Sequence, residues 1–427
     1  MSDWAVVIAG GVVVGYGALS RRLSTTVLSG PLVFMLFGLA IGPPGLDLLD
    51  RSTDPNGAQT LLEGALVLLL FADSARIRAQ DLRREEFLPL RLLMVGLPAT
   101  MALGWLVAWP LLPGLSVWEL ALAGIILAPT DAALGQQAVS DKRVPALIRG
   151  GLSVESGLND GLTLPFFVLA LAAAGEDHDH PGVAETFLRA LLLSGAIGLA
   201  AGWTGASVLR WSLARGWSSP DWRQFLALAV PVIAYALCVT GQGSGFIGAW
   251  AAGLAFGIHL RRSPATASSR AQSSDTAQST RFTRRLGLLL ASLSFLLFGA
   301  LILGPALQHL TWRMALYALL SLTVVRMLPV AVALAGTGLR SASVAYIGWF
   351  GPRGLASLVF GLLAFDEHLP GGPLLSRAIA VTVGLSVLLH GASAPFLGSS
   401  YGRWFTRTLR VEPNLRENAL AHHDAPR

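Results

Sequence analysis

The chain has 427 residues, of which 53% are hydrophobic and only 13% charged, where an ordinary soluble domain is about a quarter charged. That balance excludes a soluble globular protein, and the formal charge of +6 is carried by short basic segments between apolar runs, which argues against nucleic-acid binding. Cys238 is the single cysteine, so neither a disulfide framework nor a cysteine-built metal site can form within one chain, and no cofactor is expected.

Apolar runs long enough to cross about 30 Å of hydrocarbon, punctuated by Pro, Gly and charge clusters, predict an all-α polytopic membrane protein. About thirteen spans result, over residues 4–20, 27–42, 59–75, 89–110, 116–137, 148–174, 183–209, 222–240, 245–260, 286–305, 309–336, 341–365 and 373–398. Residues 1–402 are read as a single integral membrane domain, 261–285 as a flexible Ser/Thr/Arg-rich linker on the inside, and 403–427 as a short inside tail. The first run, "MSDWAVVIAGGVVVGYGALSRR", has no basic residue ahead of it and no convincing small-residue cleavage site, so it reads as a retained helix. With the N-terminus outside, the inside segments collect 25 of the 31 basic residues, the division required by the positive-inside rule.

An ionisable group inside a span costs several kcal/mol unless paired or wetted, and is a functional signal. In chain order these groups are Asp73, Asp131, Glu155, Asp160, Arg326 and Arg353. Asp73, in "LLLFADSARI", reads as a structural or helix-end partner, a candidate for Arg353. The fifth span carries "ILAPTDAALG", which sets Pro129, Thr130 and Asp131 in mid-membrane, where the proline interrupts the helix.

The sixth carries "GGLSVESGLNDGLTLPFF". Glu155 and Asn159 are four apart, as are Ser156 and Asp160, so the four line one side of a helix as two stripes. Gly157 and Gly161 let a neighbouring helix approach. Two carboxylates so placed suit a hard monovalent cation or protons.

Seven spans after the fifth, "IGWFGPRGLASLV" puts Pro352 and Arg353 in the corresponding mid-span place. An odd offset inverts orientation, so spans 4–6 and 11–13 form an inverted repeat with interrupted helices at its centre, the pointer to a midplane site in a secondary transporter. Broken helices expose partial positive charge at N-termini and partial negative charge at C-termini; Asp131 answers the first and Arg353 the second. Among the remaining signals, His178 and His180 in "GEDHDHP" read as part of a solvated acidic loop. His390 reads as a helix-packing hydrogen bond, and His259 as an inside span end. "GSGFIG" follows no strand and is no dinucleotide site.

"APTDAALG", "ESGLND", "VVRMLPV", "GPRG" and "LLHGASAPFLG" together resemble the monovalent cation/proton antiporter superfamily, specifically its NhaP-type sodium/proton branch. The resemblance covers nearly the whole membrane region. It implies two interrupted, crossing helices, a core bundle from spans 89–174 and 309–398 that moves against dimerisation helices, and a homodimer in a bacterial inner (plasma) membrane with a cytoplasmic C-terminus. It further implies that Asp160 binds sodium or a proton in turn and that Asn159 is the neutral neighbour marking electroneutral exchange. Thr130 and Ser156 would contribute oxygens to the sodium ion, and Glu155 would pair with Arg326 or touch the ion itself. Ala132 departs from the "TDP" of many relatives. Lithium or potassium in place of sodium, and a gated cation channel, are the alternatives; an enzyme is not expected.

Overall fold

The computed structural model describes residues 3–23, 26–43, 45, 46, 48, 55–77, 87–131, 134, 135, 141, 143–175, 183–261 and 279–418. Every regular element among them is helical: α1 (Asp3–Leu23), α2 (Gly30–Ile41), α3 (Pro55–Arg76), α4 (87–111), α5 (Val117–Ile126), α6 (Ala146–Ala174), α7 (Val183–Ala214), α8 (Pro220–Thr240), α9 (Gly245–Leu260), α10 (Arg281–Gln308), α11 (Trp312–Ala333), α12 (Ser341–Trp349), α13 (Leu355–Asp366) and α14 (Gly372–Val411). Each predicted span overlaps one of these, except that 341–365 takes in both α12 and α13, and eight of the described helices are long and apolar enough to cross a membrane.

Two prolines shape long helices without ending them. A π turn at Leu92–Gly96 precedes Pro98 in α4, and another at Phe298–Leu303 precedes Pro305 in α10. Proline supplies no N–H to the carbonyl four residues back, and a π turn is one way for the helix to absorb the change of register.

The chain divides into two compact units. The first comprises Met1–Gln59, Arg84–Asn159 and Ser292–Arg427. Within it α5 starts at a capping box, Ser116 Oγ accepting from Glu119 N and Glu119 Oε2 accepting from Ser116 N. The other oxygen, Oε1, accepts from Gly371 N at 2.6 Å, so the buried Glu119 carboxylate joins the starts of α5 and α14.

The second unit comprises Thr60–Arg83 and Asp160–Ala291. Its core gathers Phe71, Ala206, Ala234, Ala252 and Phe256, small residues of α7, α8 and α9 packed around two aromatic rings. The close approach expected at Gly161 is made by Trp250, whose indole Nε1 would stand 2.2 Å from a Cβ at that position.

Several expectations are redrawn. Arg281, Arg284 and Arg285, read as linker, form the first turns of α10, and Arg403, Arg407 and Arg410, read as tail, continue α14. Asp73, expected as a structural or helix-end partner, lies 3.5 Å from Arg284 Nε. "GSGFIG" opens α9, with Ser244 Oγ accepting from Ile247 N. His259 Nε2 is 3.0 Å from Ser207 Oγ. His178, His180 and Ala132 lie outside the described residues.

Candidate ion-binding site

The site is built on two broken helices of the first unit. α5 stops at Ile126, with the C-cap Leu127 donating its N–H to Ala123 O at 3.3 Å, and residues 128–131, containing Pro129, leave the helix. α12 stops at Trp349, and residues 350–354, containing Pro352, separate it from α13. Such breaks leave orphan carbonyls at one helix end and orphan amides at the other.

The two breaks satisfy each other. Asp131 N donates to Pro352 O at 2.8 Å. The fully buried Arg353 sends Nη1 to Ala128 O at 2.7 Å and to Pro129 O at 3.2 Å, so its charge meets the carbonyl end of α5. Asp131 Oδ2 accepts from Leu355 N at 3.0 Å, placing a carboxylate on the amide end of α13, while Oδ1 accepts from Leu134 N at 3.2 Å. Each charge sits at the helix end whose dipole it opposes. Ser357 Oγ, one turn into α13, donates to Ile126 O at 2.7 Å.

Glycine is required where the chains meet. A Cβ on Gly354 would stand 1.8 Å from Asp131 Oδ2, and one on Gly351 would stand 2.4 Å from Arg326 Nε. The spacing "GPRG" is therefore a steric condition for the crossing.

Helix α14 grips the second break from behind. Ser386 Oγ accepts from Arg353 N at 2.7 Å, and His390 Nε2 donates to Trp349 O at 2.9 Å. Ser386 Oγ and His390 Nδ1 are 3.1 Å apart, and Trp349 Nε1 donates to Ser393 Oγ at 2.9 Å. Residues 386, 390 and 393 share one face of a helix. His390 thus makes a helix-packing hydrogen bond, as the sequence suggests, whereas Ser386 is not singled out by the sequence reading; the i, i+4, i+7 spacing of polar residues in an otherwise apolar helix is the available signal.

The polar face of α6 divides into two contacts. Asn159 Nδ2 donates to Thr130 Oγ1 at 2.6 Å, and Thr130 Oγ1 stands 3.1 Å from Ser156 Oγ. Glu155 Oε1 pairs with Arg326 Nη1 at 2.7 Å. Among the described residues, Glu155 Oε2 and Arg326 Nε and Nη2 are buried with no hydrogen-bond partner. Asp160 is the residue after Asn159 in α6 and begins the second unit. The hydroxyls of Thr130 and Ser156 and the amide nitrogen of Asn159 thus gather directly beside the α5 break, and the buried guanidinium of Arg326 is held by the Glu155 carboxylate of α6.

The family model described as "Sodium/hydrogen exchanger, transmembrane" matches residues 9–399. The chain is 30% identical over 228 residues to Na(+)/H(+) antiporter 2 of Zygosaccharomyces rouxii, a match covering 50% of this chain and 27% of that protein. It is 26% identical over 386 residues to the K(+)/H(+) antiporter NhaP2 of Shewanella sp. (strain MR-4), covering 88% of this chain and 62% of that one. The chain therefore spans less than two thirds of the length of these curated relatives. Its fold is like that of the sodium proton antiporter MjNhaP1 from Methanocaldococcus jannaschii, with a TM-score of 0.73 at 21% identity over 93% of this chain and 99% of that chain.

Proposed function

The chain belongs to the sodium/hydrogen exchanger family, and from that premise we propose that this integral membrane protein exchanges a monovalent cation for protons, with sodium as the first candidate. The observation that carries the reading is the reciprocal crossing of Asp131 and Arg353. It neutralises two helix ends in the middle of the chain's apolar region and leaves the oxygens of Thr130 and Ser156 and the amide of Asn159 beside the break. A channel has no need of paired broken helices, whereas a secondary transporter builds its midplane site from them.

In this reading Asp160 is the exchanging carboxylate, holding either a proton or a cation, with Thr130 and Ser156 contributing oxygens to the cation. If the protein changes sides only when that carboxylate is occupied, one ligand leaves for each that enters. Asn159 adds no charge, and the charge of Glu155 is offset by Arg326 at 2.7 Å. Exchange of one proton for one cation then moves no net charge.

Potassium in place of sodium is a second reading, favoured by one observation: the relative matched over 88% of this chain is named a K(+)/H(+) antiporter. Both readings are tested in proteoliposomes carrying an imposed pH gradient, with sodium, lithium or potassium added in turn to wild type and Asp160→Asn. The expected result is that a cation dissipates the gradient in wild type alone and without a membrane potential, the responding ions naming the substrate. Equal activity in the mutant, or no response to any cation, would overturn the assignment.

A further inference from the structure

Away from the crossing but inside the first unit, the end of α10, one face of α13 and the start of α14 line an open pocket of about 520 Å³. That is within the roughly 300–1,000 Å³ of ordinary ligand pockets. Ile302, Leu358, Phe365 and Ile379 give it an apolar wall, and Arg377 and His309 also line it. Ile302 belongs to the π turn of α10, so the helix is locally wider where it meets the cavity.

Arg377 is half-buried, and among the described residues its guanidinium has no hydrogen-bond or ion-pair partner. Asp366 and Glu367 close α13 at this end but do not line the cavity. A guanidinium stays charged in any surroundings, so this one requires an anion or water next to an apolar wall that water wets at a cost.

The surroundings select the anion. Trp312 is 69% exposed, with Arg313 over its ring at 5.6 Å from the centroid, three positions past His309. Exposed Trp and Arg at a helix start mark the headgroup level of a bilayer. Leu307 and Leu310, on either side of His309, are also exposed. Arg377 lines the same cavity as His309, three positions before Trp312, with an apolar wall next to it.

We propose that this cavity is a lipid site, taking one acyl chain of an anionic glycerophospholipid along Ile302, Leu358 and Ile379 with its phosphate on Arg377. Bidentate pairing of a guanidinium with phosphate oxygens gives the headgroup preference, and the apolar wall gives the requirement for a chain. The inference does not depend on the transport reading.

The test titrates full-length, delipidated protein in detergent with phosphatidylglycerol, phosphatidylcholine or glycerol 3-phosphate, following melting temperature and, by native mass spectrometry, the number of lipids bound. Phosphatidylglycerol is expected to bind and stabilise saturably, phosphatidylcholine at least tenfold more weakly, and glycerol 3-phosphate not at all. Arg377→Gln should bring phosphatidylglycerol down to the level of phosphatidylcholine. Leu362→Trp, which fills the cavity, should weaken both lipids. Binding counted by mass is read directly, so a variant that melts lower without lipid still reports. Equal binding of the two lipids to wild type, an undiminished preference in Arg377→Gln, undiminished lipid binding in Leu362→Trp, or full stabilisation by glycerol 3-phosphate would each overturn the proposal.

Discussion

Arg326 Nη1 stands 2.7 Å from Glu155 Oε1, and the two side chains are 1% and 2% exposed. A buried pair gains little over an apolar replacement, but removing one partner strands the other charge at a cost of about 3–5 kcal/mol. Glu155→Gln alone should therefore lower the apparent melting temperature and the yield of folded protein sharply, and Arg326→Met alone likewise. The double variant should recover most of that loss. A double variant as unstable as the sum of the singles would place the cost elsewhere. If Glu155 acts only through Arg326, the double variant should also keep the apparent cation affinity of wild type when flux is normalised to folded protein. Altered affinity at normal stability would instead put Glu155 on the ion.

The Asp131 carboxylate carries two amides, Leu355 N at 3.0 Å and Leu134 N at 3.2 Å. Asn keeps one acceptor oxygen and loses the charge that opposes the dipole of α13, worth up to about 2 kcal/mol in a partly buried setting. Asp131→Asn should thus reduce folded protein and total flux together, while flux per folded molecule stays near wild type. Size-exclusion recovery and reconstituted transport measured on one preparation check this. Full stability with selective loss of cation affinity would make Asp131 a ligand rather than a helix cap.

Sterics separate the glycines of the crossing from ordinary helical ones. Gly354→Ala would bring a Cβ to 1.8 Å from Asp131 Oδ2 and 2.4 Å from its Cγ, a clash that only a shift of the break can relieve. Gly195, inside α7, has nothing within 4 Å of a Cβ. Gly195→Ala should be neutral or stabilising by up to about 1 kcal/mol, the helix propensity difference, whereas Gly354→Ala should leave little folded protein. Comparable melting of the two variants would contradict the close approach.

The broken helices were readable because proline, glycine and charge are each expensive in an apolar run, and "APTDAALG" and "GPRG" hold all three. Asp131 and Arg353 could be assigned to opposite helix ends from the dipole alone. The pairing of Glu155 with Arg326 came only with the family resemblance, since nothing in spacing brings residues 155 and 326 together. Asp73 reads as a structural or helix-end partner, but Arg284 is hidden as its neighbour because hydropathy ends at Leu286: it sees where the apolar run stops, whereas the helix continues to Arg281 and carries Arg284 to within 3.5 Å of Asp73. The same limitation hid the continuation of α14 through Arg403, Arg407 and Arg410. The grip of Ser386 and His390 on the second break depends on how α14 lies against α12, a tertiary fact that local pattern does not encode.

That grip gives a further test. His390 Nε2 is a second donor to Trp349 O, which also accepts from Gly351 N at 2.8 Å where α12 ends, and Ser386 Oγ satisfies Arg353 N on the other side of the break. With Gly351 N still on Trp349 O, His390 contributes one added hydrogen bond, a net of about 0.5–1.5 kcal/mol. His390→Phe, which preserves an aromatic ring without the donor, should be destabilised by that order, and His390→Gln, whose amide can still donate, by less. Thermal unfolding of the three proteins in one detergent decides the matter; identical melting of the Phe and Gln variants would remove the hydrogen bond from the account.

The tail makes a comparable contact at the other end of α12. Glu417 is 1% exposed, and its Oε1 accepts from Arg340 N at 2.9 Å and from Ser343 Oγ at 2.6 Å. Arg340 is the N-cap of α12 and Ser343 lies in its first turn, so a carboxylate from beyond the last long helix serves as the missing cap. Ser343 Oγ is also 2.8 Å from Tyr401 Oη, and Arg340 pairs with Glu412, which ties α14 and the turn Arg416–Asn418 to one helix start. Caps of this kind are worth about 0.5–2 kcal/mol, and a buried charged one belongs at the upper end. Glu417→Ala should lower the melting temperature, and a chain ending at Val411 should lose at least as much, because it removes Glu412 as well. Glu412→Ala should cost far less: its pair with Arg340 is half-exposed, and exposed pairs contribute about 0–1 kcal/mol. If Glu412→Ala and Glu417→Ala were equally mild, the tail would rest on α12 without capping it, and the start of that helix would have to be held by Tyr401 and Ser343 alone.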